Sequence, residues 1–180
     1  MASRRLPLSW LVGATVVVLV VVVAVVVLAG GDDDAASLPD RAEVAALVLA
    51  PHAGGPEQPL GDVLDDQPMV LNLFASWCQP CIKEMPAFER VHQDLGDEVD
   101  FAGLAIANPP EDALGIVERT GVTYPTFGDA VDAASELFGV VNLPTTVFIQ
   151  ADGTVTDIHT GELTEDELRA AVGDELGVTS

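Results

Sequence analysis

Cysteine is almost missing from this chain of 180 residues: there are two, Cys78 and Cys81. So small a number excludes a disulfide-rich scaffold. Histidine is nearly as scarce, and His52, His92 and His159 stand singly and far apart. A zinc site would normally show a second C-x-x-C or a pair of histidines three to five residues apart, and neither is present. Basic residues are few, seven Lys and Arg against 29 Asp and Glu, for a net charge of −22. Two of the seven, Arg4 and Arg5, precede the first acid, Asp32, so the remainder carries five bases against all 29 acids. Such a surface repels nucleic acid and anionic lipid headgroups. The run Asp32-Asp33-Asp34 reads as a solvated spacer and His52 as a solvated loop residue. There is no internal repeat and no long low-complexity tract. The length allows one domain plus an appendage.

What is present is concentrated in Met69 to Pro86, MVLNLFASWCQPCIKEMP. The apolar run Met69 to Phe74 reads as a buried central strand, and Gln79 to Leu95 as the helix that follows it. Between them the chain delivers Cys78 to the helix N-cap, where free backbone N–H groups and the positive end of the helix dipole stabilise a thiolate. The thiolate is the nucleophile of disulfide exchange, and Cys81, one turn further in, can attack a mixed disulfide formed at Cys78. Pro80 suits the first turn, where its missing N–H costs nothing. As a passive staple the pair would close a loop of four residues, worth only about 2 kcal/mol in the chain-entropy account. The spacing therefore points to redox chemistry.

The other dominant stretch is Trp10 to Ala29, WLVGATVVVLVVVVAVVVLA, twenty residues without a charge. At helical rise they span about 30 Å, the thickness of a bilayer core. Arg4 and Arg5 on its N-terminal side place that end in the cytoplasm and the remainder outside. Val27-Leu28-Ala29 would pass as a cleavage site, and Ser3-Arg4-Arg5 faintly resembles a twin-arginine signal. The apolar region is longer than a signal peptide's, which favours a retained single-pass anchor in the cell membrane. No cysteine follows Ala29-Gly30, which excludes a bacterial lipoprotein anchor. The expected layout is a cytoplasmic end and span over 1–31, a flexible acidic linker over 32–44, and one domain over 45–180.

Within that domain Val44 to Leu49 is expected as an edge strand and His52 to Pro59 as a Gly/Pro-rich loop. Leu60 to Leu64 reads as a short helical turn. Phe101 to Ala107 is a second buried strand, Glu111 to Thr120 a helix after Asn108-Pro109-Pro110, and Asp132 to Phe138 a short helix. Thr145 to Gln150 and Thr154 to His159 are strands joined by a turn at Asp152-Gly153. Thr164 and Glu167 form a capping box for the last helix. The order is that of an α/β domain with a mixed sheet, parallel crossovers first and an antiparallel hairpin after them.

VLNLFASWCQPCIKEMP (70 to 86), GVTYPTF (121 to 127), ELFGVVNLPTTVFIQADGTV (136 to 155) and GELTEDEL (161 to 168) together resemble the TlpA/ResA-like membrane-anchored thioredoxins. The likeness covers about residues 45 to 176 and implies a thioredoxin-like fold. It implies that Pro144 is a cis-proline facing the C-x-x-C, with Trp77, Leu143, Pro144 and Thr145 forming the surface that receives an extended substrate chain. Pro86 resembles the helix-kinking proline of the fold. Asn72 stands where cytosolic thioredoxin has a buried Asp, and cannot exchange a proton. Glu84 lies where ResA-like proteins carry an active-site acid, although spacing alone equally allows an exposed helix carboxylate.

The resemblance implies an extracytoplasmic thiol–disulfide oxidoreductase, monomeric and without a small-molecule cofactor or metal, using Cys78, Cys81 and Glu84. Its partners would be protein disulfides, for instance those of apocytochrome c, and a membrane dithiol electron donor. Three rival readings stand beside it. A peroxiredoxin would share the fold but needs a Thr-x-x-Cys site, and Ala75-Ser76-Trp77 precede Cys78 here. A DsbA-like thiol oxidase would differ in its redox potential. A non-catalytic module would bind client thiols without turnover, and the intact C-x-x-C argues against it.

Overall fold

The computed structural model describes residues 38–64 and 66–178. The span expected over Trp10 to Ala29 lies outside them, and among the described residues no helix is long and apolar enough to cross a membrane.

The domain is organised on β3 (Met69–Phe74), all six residues of which are buried. A strand covered on both faces reads as a continuous apolar run, and MVLNLF has one polar residue, Asn72. β3 pairs in parallel with β4 (Asp100–Ala105) and antiparallel with β6 (Thr145–Ile149). The sheet has seven strands in the order β2-β1-β5-β4-β3-β6-β7, completed by β1 (Val48–Pro51), β2 (Gln58–Pro59), β5 (Thr126–Asp129) and β7 (Val155–Thr160). Its mixture of parallel and antiparallel pairs is the expected one. The β6–β7 turn also falls where expected, with Gly153 at φ +86° taking the left-handed position that a side chain resists.

Among the described residues, five α-helices cover the two faces. On one, α2 (Gln79–Leu95), α3 (Pro110–Thr120) and α5 (Glu165–Leu176) enclose a core that includes Val70, Phe74, Phe88, Phe148 and Leu168. On the other, α1 (Arg41–Ala46) and α4 (Ala134–Leu137) pack with Leu49, Leu71, Leu73 and Val147. The alternation of β3 thus divides its side chains between two cores. α5 begins with the expected capping box, Thr164 Oγ1 accepting from Glu167 N while Glu167 Oε2 accepts from Thr164 N.

Three local readings are corrected. Arg41–Ala46 is helical, not the end of a linker running into a strand. Asp40 accepts from Ala42 N as its N-cap, Val44 is fully buried, and the strand begins only at Val48. Residues 126–129, to which the sequence assigns no element, form β5 between β1 and β4, a pairing that no local pattern announces. His52 is not solvated: it is part-buried at the end of β1, its Nδ1 is 3.1 Å from Thr126 Oγ1, and burial lowers its pKa.

Candidate active site: the Cys78–Cys81 pair

β3 ends at Phe74, and a turn over 75–77 carries the chain into α2. Ser76 N donates to Asn108 Oδ1 at 2.6 Å, tying this turn to the loop after β4. Cys78 is the N-cap of α2, and its Sγ accepts from Cys81 N at 3.2 Å. That is the capping position at which the sequence places a thiolate, and Pro80 sits in the first turn as expected. The two sulfurs are bonded, so the structure is of the oxidised form. Both cysteines are buried in this form, Cys78 retaining 4 % of its surface and Cys81 none.

The remaining expected residues divide. Leu143–Pro144 is a cis peptide bond. Thr145 pairs with Leu73, which sets this peptide beside the end of β3 from which the C-x-x-C departs. Leu143 packs against the core that contains Cys78 and Cys81. Trp77 is 64 % exposed, and a cleft of about 460 Å³ opens beside it, lined by Ser76 and by Glu111, Asp112, Ile116 and Arg119 of α3. Thr145 is not part of that surface: it is fully buried and its hydroxyl donates to Asn142 O at 2.7 Å.

Glu84 is no exposed carboxylate. It keeps 1 % of its surface, one helical turn beyond Cys81 on the inward face of α2. Its Oε1 accepts from Asn72 Nδ2 at 2.7 Å and its Oε2 from Leu163 N at 3.0 Å. Burial raises its pKa to about 7, against the opposing pull of the Leu163 and Asn72 bonds, with Glu162 adding to the rise. A buried carboxyl that exchanges its proton near neutrality can take one from a thiol that is equally buried. Sequence reasoning locates Glu84 near the chemistry but misses its two partners. Leu163 lies 79 residues away, and nothing in its own sequence context marks its N–H.

A second buried acid of α2 shows what stabilised carboxylate chemistry looks like when it is structural. Glu89 accepts from Thr123 N at 2.7 Å, from Thr123 Oγ1 and from Gln93 Nε2. Burial pushes its pKa up, but those bonds outweigh it and the net direction is down. Among the described residues no group of His, Cys, Asp and Glu is arranged to hold a metal.

A dithiol at the head of a helix, beside a cis-proline and backed by a buried acid, defines a thioredoxin-fold redox site. Residues 43–158 match the AhpC/TSA family, and the chain belongs to it. It is similar to the thiol-disulfide oxidoreductase ResA of Geobacillus thermodenitrificans, 32 % identical over 102 residues, covering 55 % of this chain and 58 % of the relative. It is also similar to the thioredoxin-like protein YneN of Bacillus subtilis, 26 % identical over 103 residues, covering 56 % and 60 %. The chain thus spans under two thirds of the length of these curated relatives. Among solved structures, MTB DsbF, in mixed oxidised and reduced forms, superposes with a TM-score of 0.66 at 25 % identity, over 77 % of this chain and 98 % of that one. A secreted Mycobacterium tuberculosis disulfide oxidoreductase homologous to E. coli DsbE gives 0.63 at 25 % identity, over 73 % and 98 %. These likenesses support the thioredoxin-like fold and the expected kinship with ResA.

Proposed function

We propose that this protein is a membrane-anchored, extracytoplasmic thiol–disulfide oxidoreductase that reduces protein disulfides. The observation that carries the reading is the placement of the pair, Cys78 at the helix N-cap with the little surface the pair retains, Cys81 fully buried in the first turn. In the reduced protein the Cys78 thiolate attacks a client disulfide, forming a mixed disulfide and releasing one client thiolate. Cys81 loses its proton to Glu84 and attacks the Cys78 sulfur, releasing the second client thiolate. Two electrons pass to the client, and the Cys78–Cys81 disulfide remains. A membrane dithiol donor returns the two electrons.

Trp77 and the cleft beside it, together with the Leu143–Pro144 edge, receive the client chain. The resemblance to TlpA/ResA-like proteins suggests apocytochrome c, whose haem-binding cysteines must be kept reduced, as one client. The span over Trp10 to Ala29 with Arg4 and Arg5 before it supports the membrane location. The Thr-x-x-Cys site that peroxide reduction needs is not formed at Cys78, because Ala75 occupies the place of the threonine.

Reduction of insulin by the protein with a dithiol donor, and the equilibrium potential of Cys78–Cys81 against glutathione, test the reading. Turnover with a potential well below the glutathione couple is expected of a reductase. A potential near that of strong periplasmic oxidants, or no turnover, would overturn it.

A further inference from the structure

Glu84 sits between two donors, and only one of them can become an acceptor. In the structure both carboxylate oxygens receive hydrogen bonds, from Asn72 Nδ2 and from the backbone N–H of Leu163. That arrangement satisfies the ionised carboxylate. A proton on Oε2 would face the Leu163 N–H, a backbone donor that cannot reverse. A proton on Oε1 faces the Asn72 side-chain amide, which can, because half a turn exchanges its NH₂ for its oxygen.

The neighbouring strand supplies what such a turn needs. Asn72 and Thr146 are directly opposed in the β3–β6 register, on the face that carries Val70, Phe74 and Phe148. Opposed residues hold their Cβ atoms about 5 Å apart. Asn72 is 1 % exposed and Thr146 fully buried, and Asn72 Oδ1 and Thr146 Oγ1 are both buried without a hydrogen-bond partner. Orphaned buried polar atoms are rare enough to require a reason. Here one hydroxyl, which both donates and accepts, lies beside one amide, which offers either end.

We propose that Asn72 is a reversible positioning residue that holds Glu84 in both protonation states, turning its amide when the proton arrives, with Thr146 as the acceptor that completes the turned orientation. With Glu84 ionised, Asn72 Nδ2 donates to Oε1, while Asn72 Oδ1 and Thr146 Oγ1 stay without partners, as in the structure. With Glu84 protonated, the Oε1 hydroxyl donates to Asn72 Oδ1 and Asn72 Nδ2 donates to Thr146 Oγ1. Apart from the Glu84 O–H bond that forms as the proton arrives, only these hydrogen bonds change. The inference deepens the proposed role of Glu84 as the acid of the exchange and rests on it for its functional meaning. Asn72, which cannot itself carry a proton, is then no passive replacement for an acid.

Other groups facing Glu84 are accounted for. Glu162, ahead of α5, raises its proton affinity and is itself paired with Lys83 of α2. The buried Tyr124 hydroxyl, ahead of β5, has its own pKa pushed up by burial and then by Glu84 and Glu89. β7 places His159 opposite Thr146 on the far side of β6. None of these is hydrogen-bonded to Glu84, whose Oε1 and Oε2 are held by Asn72 Nδ2 and Leu163 N.

The test is the titration of Glu84 followed by carboxyl ¹³C NMR on the full-length oxidised protein, in which no thiol titrates. Asn72→Leu removes the charge-assisted donor, and the midpoint should rise by about one pH unit or more. Thr146→Val leaves that donor in place but strands the amide NH₂ of the turned form, so the midpoint should fall. Thr146→Ser, which keeps the hydroxyl, should restore the wild-type midpoint. In the wild type the Asn72 side-chain amide resonances should titrate together with the Glu84 carboxyl. A Thr146→Val midpoint that is unchanged or raised, or amide resonances that ignore the Glu84 midpoint, overturns the proposal. Should Asn72→Leu fail to fold, the Thr146 pair of variants decides alone. Turnover does not enter these readouts, so an unaltered resolution rate in Glu84→Gln would remove the catalytic role of Glu84 while leaving the amide switch standing.

Discussion

Replacing Glu84 by Gln should flatten a pH dependence of stability that the wild-type protein owes to this one group. Burial raises the Glu84 pKa from an ordinary value near 4.5 to about 7. At 1.36 kcal/mol per pH unit, that gap is worth about 3 kcal/mol, an order-of-magnitude figure. The sign follows from which state holds the proton. Below about pH 4.5 both folded and unfolded chains keep Glu84 protonated, and its contribution is fully present. Between about pH 4.5 and 7 the folded protein retains the proton that the unfolded chain has released, so raising the pH costs stability throughout that window. Above it the loss is complete. Glutamine cannot titrate, yet its amide can donate towards Asn72 Oδ1 and accept from the Leu163 N–H, so the variant should fold. Urea unfolding of both oxidised proteins at half-unit steps from pH 4.5 to 8 measures the difference. Glu89, Asp152, Glu165 and Glu167, whose pKa values are lowered, change stability in the opposite direction but equally in both proteins, and drop out of the comparison. The Glu84→Gln variant should gain on the wild type by about 3 kcal/mol as the pH rises. A difference that stays constant across the range would refute the buried, near-neutral carboxyl. The same variant should slow resolution of a mixed disulfide and flatten the acidic limb of its pH–rate profile, as stopped-flow measurement can check.

Cys81→Ser should accumulate a mixed disulfide between Cys78 and a client or glutathione, and Cys78→Ser should not; trapping by the opposite variant, seen by mass spectrometry, would reverse the assigned roles. Gly103→Ala should destabilise the fold by about 1–3 kcal/mol in denaturant titration. A Cβ there would lie 3.0 Å from Thr126 Cγ2 and 3.1 Å from Phe74 Cε1, where β4 is closed in by its neighbours. A reporter fused after Ser180 and active only outside the cytoplasm should report activity, whereas one active only in the cytoplasm should stay silent; the reverse pattern would sink the proposed topology.

Where one element carries its own signal, the sequence is readable. MVLNLF, the C-x-x-C at a helix start, and the Thr164–Glu167 capping box are local patterns, and the structure has each at its expected place. Elements defined by their partners are not readable. Thr126–Asp129 has no alternation of its own and becomes β5 because β1 and β4 flank it. Arg41–Ala46 reads as the end of an acidic linker, since the cap supplied by Asp40 and the burial of Val44 depend on tertiary packing.

The site shows the same division with more consequence. Cys78, Cys81 and Pro144 are marked by residue types with few other uses, and a motif can find them. Glu84 is one of 29 acids, and spacing from Cys81 gives only the helical face on which it lies. What makes it an acid able to act near neutral pH is the balance between burial and two donors, one on β3 and one 79 residues further along the chain. That balance is a property of the folded core and not of any segment. Asn72 carries the point further, because its residue type argues against a proton role while its position, opposite an equally orphaned Thr146, supplies one at second hand. In a buried site the proton affinity of one group is set by what its neighbours can donate and accept, so residues that never ionise belong to the acid–base chemistry as much as those that do.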